Sequence, residues 1–391
     1  MDIYKRAQEI LPEVIANRRY LHQHPELGFQ LDNTVAFVKE KLTEMGYEPK
    51  DIGDHGVTAT VGGKKGGKCI LIRADMDALP MKEQSGLDFA SPCEGAAHTC
   101  GHDTHTAMLL GAAKILKEME DELCGTVKLM FQPAEELISG AKNLVEAGIL
   151  ENPKVDAALG THIFAVAPAG HLLYATGAML ASADGFAITI KGKGGHGSAP
   201  HTAIDPISVA SYIVVALQEL NGREVEPGKV AVLTLGCMQA GSASNIIPDK
   251  AVLKGTIRTF DPDVRNFVKQ RMVDIVNGTA AMFRAEAAVD FEVETAPLML
   301  DPEVMKVVGG AVKEILGPGM VHDNMTPLSG SEDFAYVSDN VPTGFFGLGA
   351  MPTDYPAYPQ HSPQIRFNED AFVSGVVAYA AGADAWLKAN Q

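Results

Sequence analysis

Apolar residues repeat with helical period over residues 3–22, and continuous apolar runs follow at 57–61 and 69–72. A helix followed by short strands predicts an α/β layer. Met108, Leu109, Ala112, Ile115, Leu116 and Met119 return to helical spacing, and Asp103 is placed to cap that helix. Residues 127–131 predict a buried strand broken by Pro133, and residues 157–159 another that ends at Gly160. From about Asp184 the pattern changes. Phe186, Ile188 and Ile190 alternate as in a strand, and Asp205-Pro206 opens a helix to about Leu220 as cap and first residue. Residues 230–235 and 251–258 predict strands, 263–284 a helix and 287–293 a last strand. The order β-α-β-β-α-β is that of a ferredoxin-like sandwich. It predicts an α+β domain at 181–295 inserted into an α/β domain made of 1–180 and 296–391.

A chain of 391 residues is long enough for two cores, and 46% hydrophobic with 21% charged residues is a globular composition throughout. The 49 acidic against 32 basic residues leave no basic face for a phosphate backbone, so nucleic acid is not an expected partner. The N-terminal stretch carries charges where a signal peptide has its apolar core. Residues 211–217 and 371–381 are too short or interrupted to span a bilayer. A cytoplasmic protein without a membrane partner is expected. Cys69, Cys93, Cys100, Cys124 and Cys237 are odd in number and irregularly spaced, as reduced thiols are. The stretch Gly62-Gly-Lys-Lys-Gly-Gly-Lys68 nearly matches a phosphate-binding loop. Such a loop opens a helix, whereas residues 69–73 continue as a strand, so the glycines are expected to turn a hairpin.

Metal-type residues gather where strands end or loops begin: Cys100-Gly-His102, Glu135-Glu136, Gly160-Thr-His162 and His361-Ser-Pro. Open α/β sheets place their sites at such ends. A dinuclear centre needs enough donors for two ions and a shared water, and five ligands suffice. Adjacent glutamates project differently, so one can bind metal while the other meets the water as general base.

These residues lie in longer stretches that resemble a known family. They are Arg18-Arg-Tyr-Leu-His-Gln-His-Pro-Glu-Leu27, Ile72-Arg-Ala-Asp-Met-Asp-Ala-Leu-Pro80, His98-Thr-Cys-Gly-His-Asp-Thr-His105 and Phe131-Gln-Pro-Ala-Glu-Glu136, then Gly160-Thr-His162, Gly194-Gly-His-Gly-Ser-Ala-Pro-His201, Gly241-Ser-Ala-Ser-Asn-Ile-Ile-Pro248, Gly330-Ser-Glu-Asp-Phe334 and His361. Together they resemble the amidohydrolase branch of the M20 metallopeptidases over nearly the whole chain. The resemblance implies a dinuclear-metal exopeptidase-like catalytic domain with an inserted lid or dimerisation domain, and a homodimer formed through it. It implies metal ligation by Cys100, His102, Glu136, His162 and His361, with Glu135 as general base. His196 would polarise the scissile carbonyl, and Asn245 and Arg258 would hold substrate. Without the resemblance, His196 reads as a turn residue, Asn245 as an Asx turn and Arg258 as a surface ion pair.

The wider superfamily carries a His-x-Asp motif where Asp75-Met76-Asp77 stands, and bridges its metals with an Asp that Cys100 would replace. A thiolate favours Zn, Ni or Co over Mg or Ca, with Mn also open. Asp75, Asp77, Asp103 and His105 read either as groups that orient ligands or as loop carboxylates and a helix cap. The implied reaction is hydrolysis of an N-acyl amino acid. The alternatives are a carboxypeptidase or dipeptidase acting on peptides or acyl-glutamates, and a non-catalytic metal or ligand binder.

Overall fold

In the computed structural model, which describes residues 1–391, α1 (Ile3–Gln23) buries Ile3, Ala7, Ile10, Val14 and Leu21 along one stripe, and the Asp2 side chain accepts from Lys5 N at its start. The chain divides into two compact units, Met1–Gly177 with Met299–Thr326 and Asp333–Gln391, and Ala178–Leu298 with Pro327–Glu332.

The first unit is built on an eight-stranded mixed sheet. Its early strands are β1 (Lys50–Ile52), β2 (Gly56–Gly62), β3 (Cys69–Asp75), β4 (Thr126–Gln132) and β5 (Ala157–Phe164). In space the order is β1, β2, β4, β3, β5, then Thr343–Gly349, Leu172–Leu173 and Val321–His322. From β4 to Thr343–Gly349 neighbouring strands run parallel. β3 and Thr343–Gly349 are buried at every position, the mark of a sheet covered on both faces. Helix α2 (Asp32–Glu44) precedes β1, and α3 (His102–Glu118) and Phe372–Ala389 pack on β3, β5 and each other.

Three expectations need correction. β2 and β3 do not form a hairpin: β4 lies between them, antiparallel to β2 and parallel to β3. The glycines at 62, 63, 66 and 67 still turn the chain, all with positive φ. β5 does not end at Gly160. It runs on to Phe164 because residues 160–164 pair with 345–349, and a Cβ at Gly160 would meet the Phe345 ring at 2.6 Å. That glycine permits close aromatic packing rather than stopping the strand. Asp103 does not cap α3. The cap is Gly101, at φ 106, and the Asp103 carboxylate is buried against Arg18 and His22.

The second unit carries Ala183–Lys191, Ala231–Ala240, Lys250–Thr259 and Glu286–Thr295 in a four-stranded antiparallel sheet. Its order in space is second, third, first, fourth. Helices Pro206–Glu219 and Pro262–Met282, capped by Asp205 and Asp261, cover it. Phe186, Ile188, Ile190, Val209, Ile213, Leu217, Leu253, Ile257, Val268, Met272 and Val276 form one core, as the β-α-β-β-α-β pattern requires. All five cysteines are free, and no helix is long and apolar enough to cross a membrane.

Candidate metal centre

Three adjacent parallel strands deliver their C-terminal ends to one place. Asp75 closes β3, Glu135 and Glu136 follow β4 after Pro133 and Ala134, and His162 stands two residues before the end of β5. Cys100 and Gly101 come just before α3, of which His102 is the first residue. Gly101 has to be glycine on two counts, since its φ is left-handed and an added Cβ would lie 2.4 Å from Ile163 Cγ2. His361 reaches the site from a loop, with φ 65.

Besides the cluster His102–Glu135–Glu136, these side chains form two donor triads, Cys100–His102–His162 and Cys100–Glu136–His361, each cluster with its ligand atoms within 4.8 Å of one another. Cys100 belongs to both. Its Sγ is 3.3 Å from His162 Nε2, and His361 Nε2 is 3.5 Å from Glu136 Oε1. His102 Nε2 lies 3.9 Å from Glu136 Oε1 and 3.9 Å from Glu135 Oε2. Both ring nitrogens of His102 and Glu136 Oε1 are buried without a hydrogen-bond partner. Buried polar atoms are nearly always satisfied, so this donor set fits cations.

The groups behind the donors are equally ordered. Asp77 accepts the backbone amides of Glu135 and Glu136 at 3.0 and 3.2 Å, and its Oδ1 lies 3.4 Å from His102 Nδ1. One carboxylate thereby fixes the backbone of two residues of the centre and lies beside a third. Asp75 pairs with Arg73 at 2.9 Å and accepts from His105 Nδ1 at 2.6 Å. His105 Nε2 accepts the Ile163 amide at 2.8 Å, which fixes its tautomer. His162 Nδ1 donates to Ile163 O at 2.7 Å, turning Nε2 toward Cys100. Of the two readings open for Asp75, Asp77 and His105, orientation of the donors is the one the geometry supports. Arg18 and His22, spaced i, i+4 on α1, support the site through the Asp103 carboxylate, a role that no local signal in their sequence marks.

Burial pushes the Cys100 thiol well above its usual range and the His162 imidazole well below its own. Burial also raises the Asp77 carboxyl. It would raise Asp75 too, but Arg73, then His102 and His105, hold Asp75 well below the usual carboxylate range. A nearby cation reverses the penalty on the thiolate.

The remaining candidates lie in the second unit. His196 is exposed on a two-residue strand paired with Ile246–Ile247, and its Nδ1 accepts from Ser198 N and Oγ at 3.1 and 2.8 Å. Gly197 N donates to Asn245 O at 2.8 Å, so His196 and Asn245 sit together. Arg258 stands apart from them, near the end of Lys250–Thr259. It is half-buried, and Nη1 donates to Ser182 O and Ser331 Oγ, both at 3.2 Å. It is not the surface ion pair that its position in the sequence allowed.

Comparison with known proteins matches the architecture. The chain is 38% identical over 384 residues to N-acetyl-L-cysteine deacetylase of Bacillus subtilis (strain 168), covering 97% of this chain and 89% of that one. It is 38% identical over 380 residues to thermostable carboxypeptidase 1 of Saccharolobus solfataricus, covering 95% of each. The crystal structure of a dinuclear metal-binding peptidase of Bacillus subtilis superposes with a TM-score of 0.84 at 34% identity, over 97% of this chain and 99% of that one. Residues 71–384 match the model of peptidase family M20/M25/M40, a span holding every donor of both triads, and the chain belongs to that family.

Proposed function

We propose that this protein is a metal-dependent amidohydrolase that cleaves the amide bond of N-acyl amino acids, releasing a carboxylic acid and the free amino acid. The observation that carries the reading is the pair of triads sharing Cys100 with Glu135 beside them. The family consists of hydrolases of amide bonds, and the deacetylase relative acts on an N-acetyl amino acid by its name. Cys100, His102 and His162 would hold one divalent ion, and Cys100, Glu136 and His361 a second. Zn, Mn, Ni and Co all suit a set with one thiolate. Such ions, when bound, supply Lewis-acid polarisation of water and carbonyl. Glu135, buried and with its backbone fixed by Asp77, accepts the proton of the attacking water and returns it to the leaving nitrogen. His196 polarises the scissile carbonyl, and Asn245 and Arg258 hold substrate, Arg258 through the carboxylate that every N-acyl amino acid carries.

The carboxypeptidase relative favours a second reading, cleavage of peptides or acyl-glutamates. One experiment addresses both. The metal-loaded protein is assayed on acetyl-, benzoyl- and dipeptidyl substrates before and after chelation, with elemental analysis alongside. Two ions per chain, turnover fastest on acyl amino acids and its loss on chelation are expected. Faster cleavage of dipeptides would replace the reading by the second, and full activity without metal would sink both.

We further infer a homodimer formed through the second unit. Its edge strand Ala231–Ala240 leaves Val232 and Met238 each 47% exposed, and helix Pro206–Glu219 exposes Tyr212 and Val215. Apolar side chains on an unpaired strand edge fit a second copy of the same surface. The five free cysteines suit a reducing cytoplasm.

A further inference from the structure

The two triads differ in how their last donor is held. His162 sits inside β5 with its ring fixed by a hydrogen bond. His361 belongs to no helix or strand, its side chain is 53% exposed, and its backbone is left-handed. A non-glycine residue keeps such a conformation only where its surroundings over-determine it. Two hydrogen bonds do so. His361 N donates to Thr99 O at 2.9 Å, and Gln360 Nε2 donates to Ile163 O at 2.6 Å. Thr99 immediately precedes Cys100, and Ile163 immediately follows His162. Each tether therefore ends one residue from a donor of the first triad.

The Ile163 peptide is the shared node. Its carbonyl accepts from both His162 Nδ1 and Gln360 Nε2, while its amide donates to His105. We propose that Gln360 is a positioning residue that registers His361 against His162, so that the second ion site takes its geometry from the first. The proposal rests on the two-ion reading above. Removing Gln360 leaves no buried orphan, because the carbonyl keeps the His162 ring as donor. The loss falls on the loop and not on the core.

The test uses Gln360→Met, which keeps the length of the side chain without its donor, and Gln360→Glu, which keeps its shape and substitutes an acceptor. Metal-free protein is titrated calorimetrically with Zn2+, ions per chain are counted after desalting, and the melting temperature of the metal-free form is measured. In both variants the tighter ion should bind as in the wild type and the weaker about 10- to 100-fold less well, the usual effect of losing a group that orients a ligand. About one ion per chain should then survive desalting, with an unchanged metal-free melting temperature. A second affinity within about threefold of wild type, well short of that range, would overturn the proposal. So would equal weakening of both ions with a lowered melting temperature, which marks a merely structural residue. A wild type that takes up fewer than two ions would remove the two-ion reading and the proposal together, and it would do so before any substitution is compared.

Discussion

At the scale of single residues, the division of labour between two adjacent glutamates is the sharpest claim. Glu136 Oε1 is buried without a hydrogen-bond partner and 3.5 Å from His361, whereas Glu135 faces His102 from the other carboxylate. Glu135→Gln keeps the shape but accepts no proton near neutral pH. Turnover should fall by about 10²- to 10⁴-fold while elemental analysis still finds the wild-type metal content. A variant that loses its ions instead would make Glu135 a ligand. The residues that gather here were legible in the sequence as candidate donors, because Cys-x-His, Glu-Glu and two more histidines are unusual company. Their support was only half legible. Asp77 looks like any loop carboxylate until the fold brings it under two backbone amides and the His102 ring. Asp103 satisfied every local rule for a helix cap, yet Arg18 and His22 claim its carboxylate. Burial would raise its pKa, and Arg18, then His22, hold it below the usual carboxylate range instead. Nothing near position 103 in the sequence announces partners some eighty residues away.

Among the elements, the turn from Cys100 into α3 sets the angle between two donors of one triad. Gly101→Ala introduces backbone strain of about 1–3 kcal/mol, and its methyl would press on Ile163 Cγ2 and the Phe367 ring. The variant should melt at lower temperature and retain less metal after desalting than wild type. Unchanged melting and metal content would show that the turn tolerates a side chain. Elements were read well where local pattern and final burial agree. The second unit is the clear case, since its alternating strands and 3.6-period helices bury the residues they promise to bury. Reading failed where pairing over long separations decides. No local signal tells that β4 will slide between β2 and β3, or that Thr343–Gly349 will carry β5 past Gly160.

For the whole molecule, the proposed self-association through Ala231–Ala240 is open to a direct test. Val232→Lys and Met238→Lys together place charges on the strand edge, a common device against edge-to-edge pairing. Light scattering should find the wild type as a dimer and the variant as a monomer, with secondary structure unchanged by circular dichroism. A wild type that is monomeric at micromolar concentration would end the proposal. Both metal triads belong to the discontinuous unit, and that discontinuity gives the molecule a history. On the ribosome, Cys100, His102 and His162 are made together with β3, β4 and β5, before the contiguous body of the second unit. Strand Thr343–Gly349 reaches its place beside β5 only after the intervening residues are translated, roughly ten to forty seconds later at ordinary synthesis rates. His361 follows it. Residues translated after the body of the second unit thus supply both the strand that pairs with the free side of β5 and the His361 side chain of the second triad.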